Sequence, residues 1–236
     1  MKKYILVLGL ATLGTAANAQ TMAGGKLGLN YNIYSSKAGD DAPDGTESES
    51  NSGIGFHVGG YFQYNFSDNI GIRPELLFST RSTKSDLDDE TSFTVGSITT
   101  TTKTTGETTS SLSYIEIPLL LAIGAGDNLD IHVGPGFGLL MGAKYKSEGD
   151  QTTSVTGLPD QTTSFDNEVS GEDAKEGLRG TEIGLCIGGV YNLESGLNFG
   201  LRYWRGLNTL NEDTDLYKTT ANVIQLSIGW NFMDER

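Results

Sequence analysis

The chain of 236 residues has one cysteine, Cys186, and two histidines, His57 and His132. A lone thiol excludes an internal disulfide framework and a cysteine-rich zinc site. The histidines have no nucleophile elbow and no metal-type spacing around them, so acid–base or nucleophilic catalysis has little to stand on. Basic residues are scarce, 16 against 30 acids, for a formal net charge of −14. Such a surface is ill suited to nucleic acid, whose phosphates demand positive charge. Proline numbers only 5 and charged residues only 19%, while glycine numbers 32. That profile fits neither a helical bundle nor collagen. Beyond the N-terminus no stretch reaches the roughly 18 consecutive apolar residues of a membrane helix.

What is present begins with an export segment. Lys2 and Lys3 precede an apolar run from Tyr4 to Ala16, and Ala17-Asn18-Ala19 is a small-x-small cleavage site. Residues 1–19 are therefore expected to be a signal peptide, and residues 20–236 one mature domain.

The mature sequence alternates apolar and polar residues with period two, the signature of strands whose side chains point to opposite faces. Eight segments do so, around Leu27–Ile33, Ile54–Phe66, Ile70–Ser79, Tyr114–Ile123, Ile131–Gly142, Thr181–Tyr191, Leu197–Trp204 and Ile224–Phe232. Pro74, Pro118 and Pro135 fall inside them and call for bulges or missing ladder bonds. The connections alternate in length. Ser67-Asp68-Asn69, Gly126-Asp127-Asn128 and Glu194-Ser195-Gly196 are tight reversals, whereas Ser35–Ser52, Ser82–Ser110, Tyr145–Leu178 and Asn208–Lys218 are long. Short turns at one end and long loops at the other predict an eight-stranded, antiparallel, up-and-down transmembrane β-barrel. The Thr/Ser-rich run from Thr91 to Ser111 favours strand, so the third and fourth segments are expected to continue above the membrane.

Alternation alone leaves two barrels open. A soluble, lipocalin-like barrel turns its apolar face inward around a ligand; a membrane barrel turns it outward to lipid. The polar face here is rich in glycine and poor in the Lys and Glu of an exposed sheet. Its charges nearly balance, with Lys26, Arg73 and Arg202 against Glu75, Glu116 and Glu182. A filled lumen tolerates such groups only as pairs, so these six are expected to form a structural ion-pair network. On the apolar face Tyr31, Tyr64, Phe66, Phe78, Tyr191, Tyr203, Trp230 and Phe232 are placed to form interfacial girdles. His57, His132 and Cys186 fall on the lumen side. These features favour the membrane barrel.

The segments Tyr114-Ile115-Glu116-Ile117-Pro118-Leu119-Leu120, Gly134-Pro135-Gly136, Gly200-Leu201-Arg202-Tyr203 with Gly206-Leu207, and Gln225 to Phe232 stand in one order and spacing. In these the chain resembles the PorT-type outer-membrane β-barrel family of Gram-negative bacteria, related in architecture to small OmpA/OmpX-type barrels. The resemblance implies a cell-envelope protein set among outer-membrane lipid and lipopolysaccharide. It implies insertion by the barrel-assembly machinery, both termini in the periplasm, and a link in some members to protein secretion.

The expected role is structural or binding, exercised through external loops, with no enzyme activity and no cofactor. A secretion or transport accessory and a narrow channel are the alternatives, with a soluble ligand-binding barrel behind them. The acidic runs Gly39–Gly45 and Asp86–Glu90 lack the spacing of a calcium loop and are read as solvated. The four long connections hold 21 acids against 6 bases. The imbalance therefore sits over one end of a nearly neutral barrel, where divalent cations would bridge it to the anionic outer leaflet.

Overall fold

In the computed structural model, residues 20–43 and 49–234 are described. The expected export segment lies outside them. The strands are β1 (Gln20–Ala38), β2 (Glu49–Ser67), β3 (Ile70–Val95), β4 (Ile98–Gly124), β5 (Leu129–Val155), β6 (Gln161–Ser170), β7 (Thr181–Asn192), β8 (Leu197–Gly206) and β9 (Tyr217–Asp234). A single 3-10 turn, Asp173–Lys175, follows β6. Every pairing is antiparallel. Eight strands close a ring in the order β1-β2-β3-β4-β5-β7-β8-β9, sealed by the β1–β9 and β4–β5 ladders.

The barrel is inside-out relative to a soluble one. Leu27, Ile54 and Leu226 are 63%, 67% and 57% exposed, while their lumen-side neighbours Lys26, His57 and Gln225 are buried. Each such apolar side chain would forgo roughly 1.5–3 kcal/mol if it stayed in water. Lipid is the solvent that this surface matches, and closure of the ring leaves no unpaired edge inside the hydrocarbon. The soluble alternative is set aside on this ground.

The three prolines sit where ladders are interrupted. The β3–β4 register passes from Pro74↔Leu119 to Leu77↔Glu116, and β4–β5 from Pro118↔Gly136 to Leu121↔Val133. Each proline lacks the N–H that a ladder needs.

Two of the long connections are largely strand, the first as expected from its Thr/Ser-rich run and the second not. Most of Ser82–Ser110 is the prolonged β3–β4 hairpin, turning at Gly96 with φ 62°. Much of Tyr145–Leu178 is the upper half of β5 and the added strand β6, which turns near Gly157 with φ 83°. Glycine takes these left-handed conformations without the Cβ clash. The result is a four-stranded sheet, β3-β4-β5-β6, standing beyond the ring at the end opposite the short turns.

Candidate functional site

The lumen is stacked in layers. Nearest the short turns, Tyr61 Oη donates to Asn231 Oδ1 at 2.5 Å, and Asn198 Nδ2 donates to Tyr61 Oη at 2.8 Å. Above them Glu75 accepts from three cations. Lys26 Nζ lies at 2.5 Å, Arg73 Nε at 3.1 Å, and Arg202 grips both carboxylate oxygens at 2.8 and 2.7 Å. The Arg73 guanidinium also stacks 3.5 Å from the centre of the Tyr61 ring.

A second cluster lies one turn of alternation higher. Arg81 Nη1 donates to Glu182 Oε2 at 2.6 Å and Nη2 to Glu116 Oε1 at 2.8 Å. The remaining oxygens are also taken. Gln225 Nε2 donates to Glu116 at 3.1 Å, and Trp204 Nε1 donates to Glu182 at 2.7 Å. Arg81 and Glu116 are both 0% exposed. At the top an apolar group of Tyr34, Leu112, Tyr114, Ala143 and Ala221 is capped by Ala174 and Leu210 from the connections beyond the ring.

The structure therefore places Lys26, Arg73, Glu75, Glu116, Glu182 and Arg202 in the lumen, but not in one network. The expectation of one network is corrected: Arg202 serves Glu75, and Glu116 belongs to Arg81. Arg81 escaped the sequence reading because apolar alternation stops at Phe78. The outward residues that follow, Thr80, Ser82 and Lys84, are polar, so the strand continues while its lipid signature ends. Position parity was the available signal, since Arg73, Glu75, Ser79 and Arg81 are all odd. With Arg81 counted, the lumen holds four cations against three carboxylates.

Of the girdle residues, Tyr64, Phe66, Tyr191, Trp230 and Phe232 lie outward near the turn-end limits of β2, β7 and β9. Tyr203 lies outward near the other end of β8, its hydroxyl donating to Asn222 Oδ1 at 3.0 Å. Phe78 is mid-strand and packs on Phe56 with centroids 6.1 Å apart, and Tyr31 also lies well inside its strand. Both nonetheless lie near the outer limit of the apolar band, since polar Thr80 follows Phe78 on the outward face and Ser35 follows Ile33 beyond Tyr31; the strands continue past that limit.

The projecting sheet is sorted by face. Its outward face carries Lys84, Lys103, Lys144 and Lys146 among eight acids, in cross-strand pairs such as Lys84–Glu107 at 2.6 Å and Lys144–Glu168 at 2.8 Å. The Glu107 carboxylate raises the Lys84 ammonium above its ordinary range, and Lys146 lowers Glu148. The face continuing the lumen wall carries Leu87, Phe93, Val95, Ile98, Val155, Phe165 and Val169, by the register of the three ladders. Gly106 and Gly149 form one cross-strand pair there, and the Phe165 ring lies against Gly149. Phe93, Val95, Ile98 and Val169 are exposed. In the run Asp86–Glu90, Asp86, Asp88 and Glu90 share the outward face, where Lys103 lies 3.9 Å from Asp88, and Asp89 lies on the other. Among the described residues no group of three or more His, Cys, Asp or Glu side chains is placed to hold a metal ion.

A closed ring of eight antiparallel strands, apolar outside and paired ions within, defines a small outer-membrane-type barrel. The sequence profile of the outer membrane protein beta-barrel domain family matches residues 18–212, and the chain belongs to that family. It is an outer-membrane protein. Among solved structures it is similar to Ail, the attachment invasion locus protein of Yersinia pestis, at 13% identity and a TM-score of 0.40. That match covers 90% of this chain and 99% of Ail. Neisserial surface protein A is similar at 11% identity and a TM-score of 0.40, covering 89% and 99%. OprG from Pseudomonas aeruginosa is similar at 14% identity and a TM-score of 0.30, covering 90% and 97%. Comparison with curated protein sequences finds no match.

Proposed function

We propose that this barrel is a docking protein of the outer membrane, without enzymatic activity, whose working surface is the projecting four-stranded sheet. The observation that carries the reading is the sorting of that sheet. All of its charges but Asp89 lie on the outward face, while its apolar side chains lie on the other, with Phe93, Val95 and Ile98 exposed together at the tip of the β3–β4 hairpin. An exposed apolar patch rimmed by polar residues is the mark of a protein–protein surface. Above Lys84 the β3 edge pairs with no strand among the described residues. Among the described residues β6 pairs only with β5. Open backbone edges beside an apolar face favour an extended or sheet-bearing protein partner.

Barrels of this class keep short turns in the periplasm and long elements outside. The sheet then faces the exterior, both termini face the periplasm, and residues 1–19 direct export. The barrel-assembly machinery inserts the chain among lipid and lipopolysaccharide. Divalent cations over the acidic outer face link it to the outer leaflet. The PorT-like motifs make a component of a protein-export or transport apparatus the first class of partner to test. Against catalysis stands the engagement of His57 Nδ1 by Asn30 Oδ1 at 2.7 Å, with no nucleophile in that pairing.

The test is site-specific photo-cross-linking in intact cells. Probes at Phe93 and Ile98 are expected to capture one protein that a probe at Thr101, on the charged face, does not. Phe93→Asp should abolish capture at Ile98. Equal capture from both faces, or none from either, would overturn the reading.

A further inference from the structure

A small cavity, about 10 Å³, lies inside the lumen beside the Glu75 cluster, lined by Lys26, His57, His132, Arg202, Gln225 and Ser227 among others. Three buried polar atoms on its walls have no partner: His57 Nε2, His132 Nε2 and Gln225 Oε1. The residues bearing them are 1%, 1% and 2% exposed. Orphaned buried polar atoms are rare, and three of them on residues lining one cavity point to a hydrogen-bonding occupant.

The network around the cavity fixes what that occupant must be. Asn30 Nδ2 is committed as a donor to Phe56 O, Ser79 Oγ and Thr80 O, at 3.0, 2.9 and 3.0 Å. Asn30 Oδ1 is therefore the acceptor, and His57 Nδ1–H is the donor to it. In the neutral ring this leaves a bare lone pair at His57 Nε2. Gln225 Nε2 is committed to Glu116, so its Oε1 presents a second lone pair. Two acceptors call for a donor. Lys26 and Arg202 on the same wall repel a cation, and the two lone pairs repel an anion. A neutral molecule that donates twice and also accepts fits both sets of groups, and the space matches a single small one.

We infer that the cavity is a binding site for one ordered water. It donates to Gln225 Oε1 and His57 Nε2, accepts from Lys26 or Ser227, and lies within reach of the His132 ring. It thereby ties β2 to β9 across the lumen, and β1 as well where Lys26 is the donor, beside the His132 ring of β5. This site is independent of the docking surface.

The test is a crystal structure of the full barrel grown in sodium bromide, at a resolution that shows ordered water. A single peak without anomalous signal, within hydrogen-bond distance of Gln225 Oε1 and His57 Nε2, is expected. An anomalous bromide peak there would replace water with an anion and overturn the assignment, as would side chains collapsed into an empty space. In solution, the detergent-refolded wild type should show a long-lived water cross-peak to the His57 ring proton by NMR. Its absence would equally sink the proposal, and no variant has to fold for either measurement.

Discussion

Arg81 is the residue on which the upper lumen depends. Among the described residues it alone forms ion pairs with Glu116 and Glu182, at 2.8 and 2.6 Å. Glu75 by contrast has three cationic partners. Breaking a buried pair costs more than the pair's net worth, because it leaves an uncompensated charge. Arg81→Ala is therefore expected to destabilise the barrel by about 3–5 kcal/mol. Arg202→Ala should cost clearly less, since Lys26 and Arg73 remain on Glu75. Urea unfolding in detergent, followed by tryptophan fluorescence, gives the order; equal costs, or Arg202 the larger, would show that the two clusters act as one. Glycine supplies a second residue-scale prediction. A methyl added at Gly184 or Gly136 overlaps the buried Trp204 indole, whereas one added at Gly142 meets open space. Overpacking of this kind costs about 1–3 kcal/mol. Gly184→Ala should lower the unfolding midpoint while Gly142→Ala leaves it in place, and equal behaviour would mean that the indole has room to move.

At the scale of elements, the eight membrane strands were legible because lipid imposes a strict code. Each outward position within the apolar band must be apolar, and each intervening one must be small, polar or paired, so period two survives along the strand. The same code explains what was not legible. Once β3 and β4 leave the band, Thr80, Ser82 and Lys84 face water and the alternation fades, so Arg81 went unread as a lumen residue, and the continuation of these two strands was legible only from the β propensity of the Thr/Ser-rich run. β6 was hidden for the same reason: Gln161–Ser170 is nearly all polar, and only its ladder to β5 defines it. The lumen residues were legible one by one, but their partners were not, because pairing depends on register around a closed ring. The projecting hairpins add backbone ladder with little buried side chain. Removing residues 86–107 and 148–166, with short turns joining Ser85 to Thr108 and Ser147 to Asn167, is therefore expected to leave a foldable ring. Unheated electrophoresis should still show the compact form, with a urea midpoint close to that of the parent, while cross-linking at the former sheet is lost. Failure of the shortened chain to refold would make the sheet part of the folding core.

For the whole molecule, the charge of −14 divides by environment. Inside the ring, four cations face three carboxylates and each carboxylate is held by at least one cation. Outside it, the sheet and loops carry the surplus acids into water, where repulsion between them costs little. An ion entering from the loop end meets the apolar cap of Tyr34, Leu112, Tyr114, Ala174 and Leu210 before it meets any charge. Beyond the cap lies the Arg81 cluster, then the Glu75 cluster, then the Tyr61–Asn198–Asn231 layer, each spanning the lumen through hydrogen bonds of 2.5–3.3 Å. Passage would require parting both buried ion clusters, and each separated charge then stands desolvated in a low-dielectric interior. An eight-stranded barrel has an interior just wide enough for side chains to fill. Purified protein in planar lipid bilayers is therefore expected to give no steady current at moderate voltage, and removal of the projecting sheet should not change that, because the seal lies within the ring. Replacing Leu112 and Tyr114 together by alanine removes the cap but leaves both ion clusters, so it too should stay silent. Steady, ion-selective steps from the parent chain would overturn the filled-lumen arrangement and bring back the narrow channel; steps from the cap variant alone would locate the barrier in the cap and leave the ion clusters as a lining.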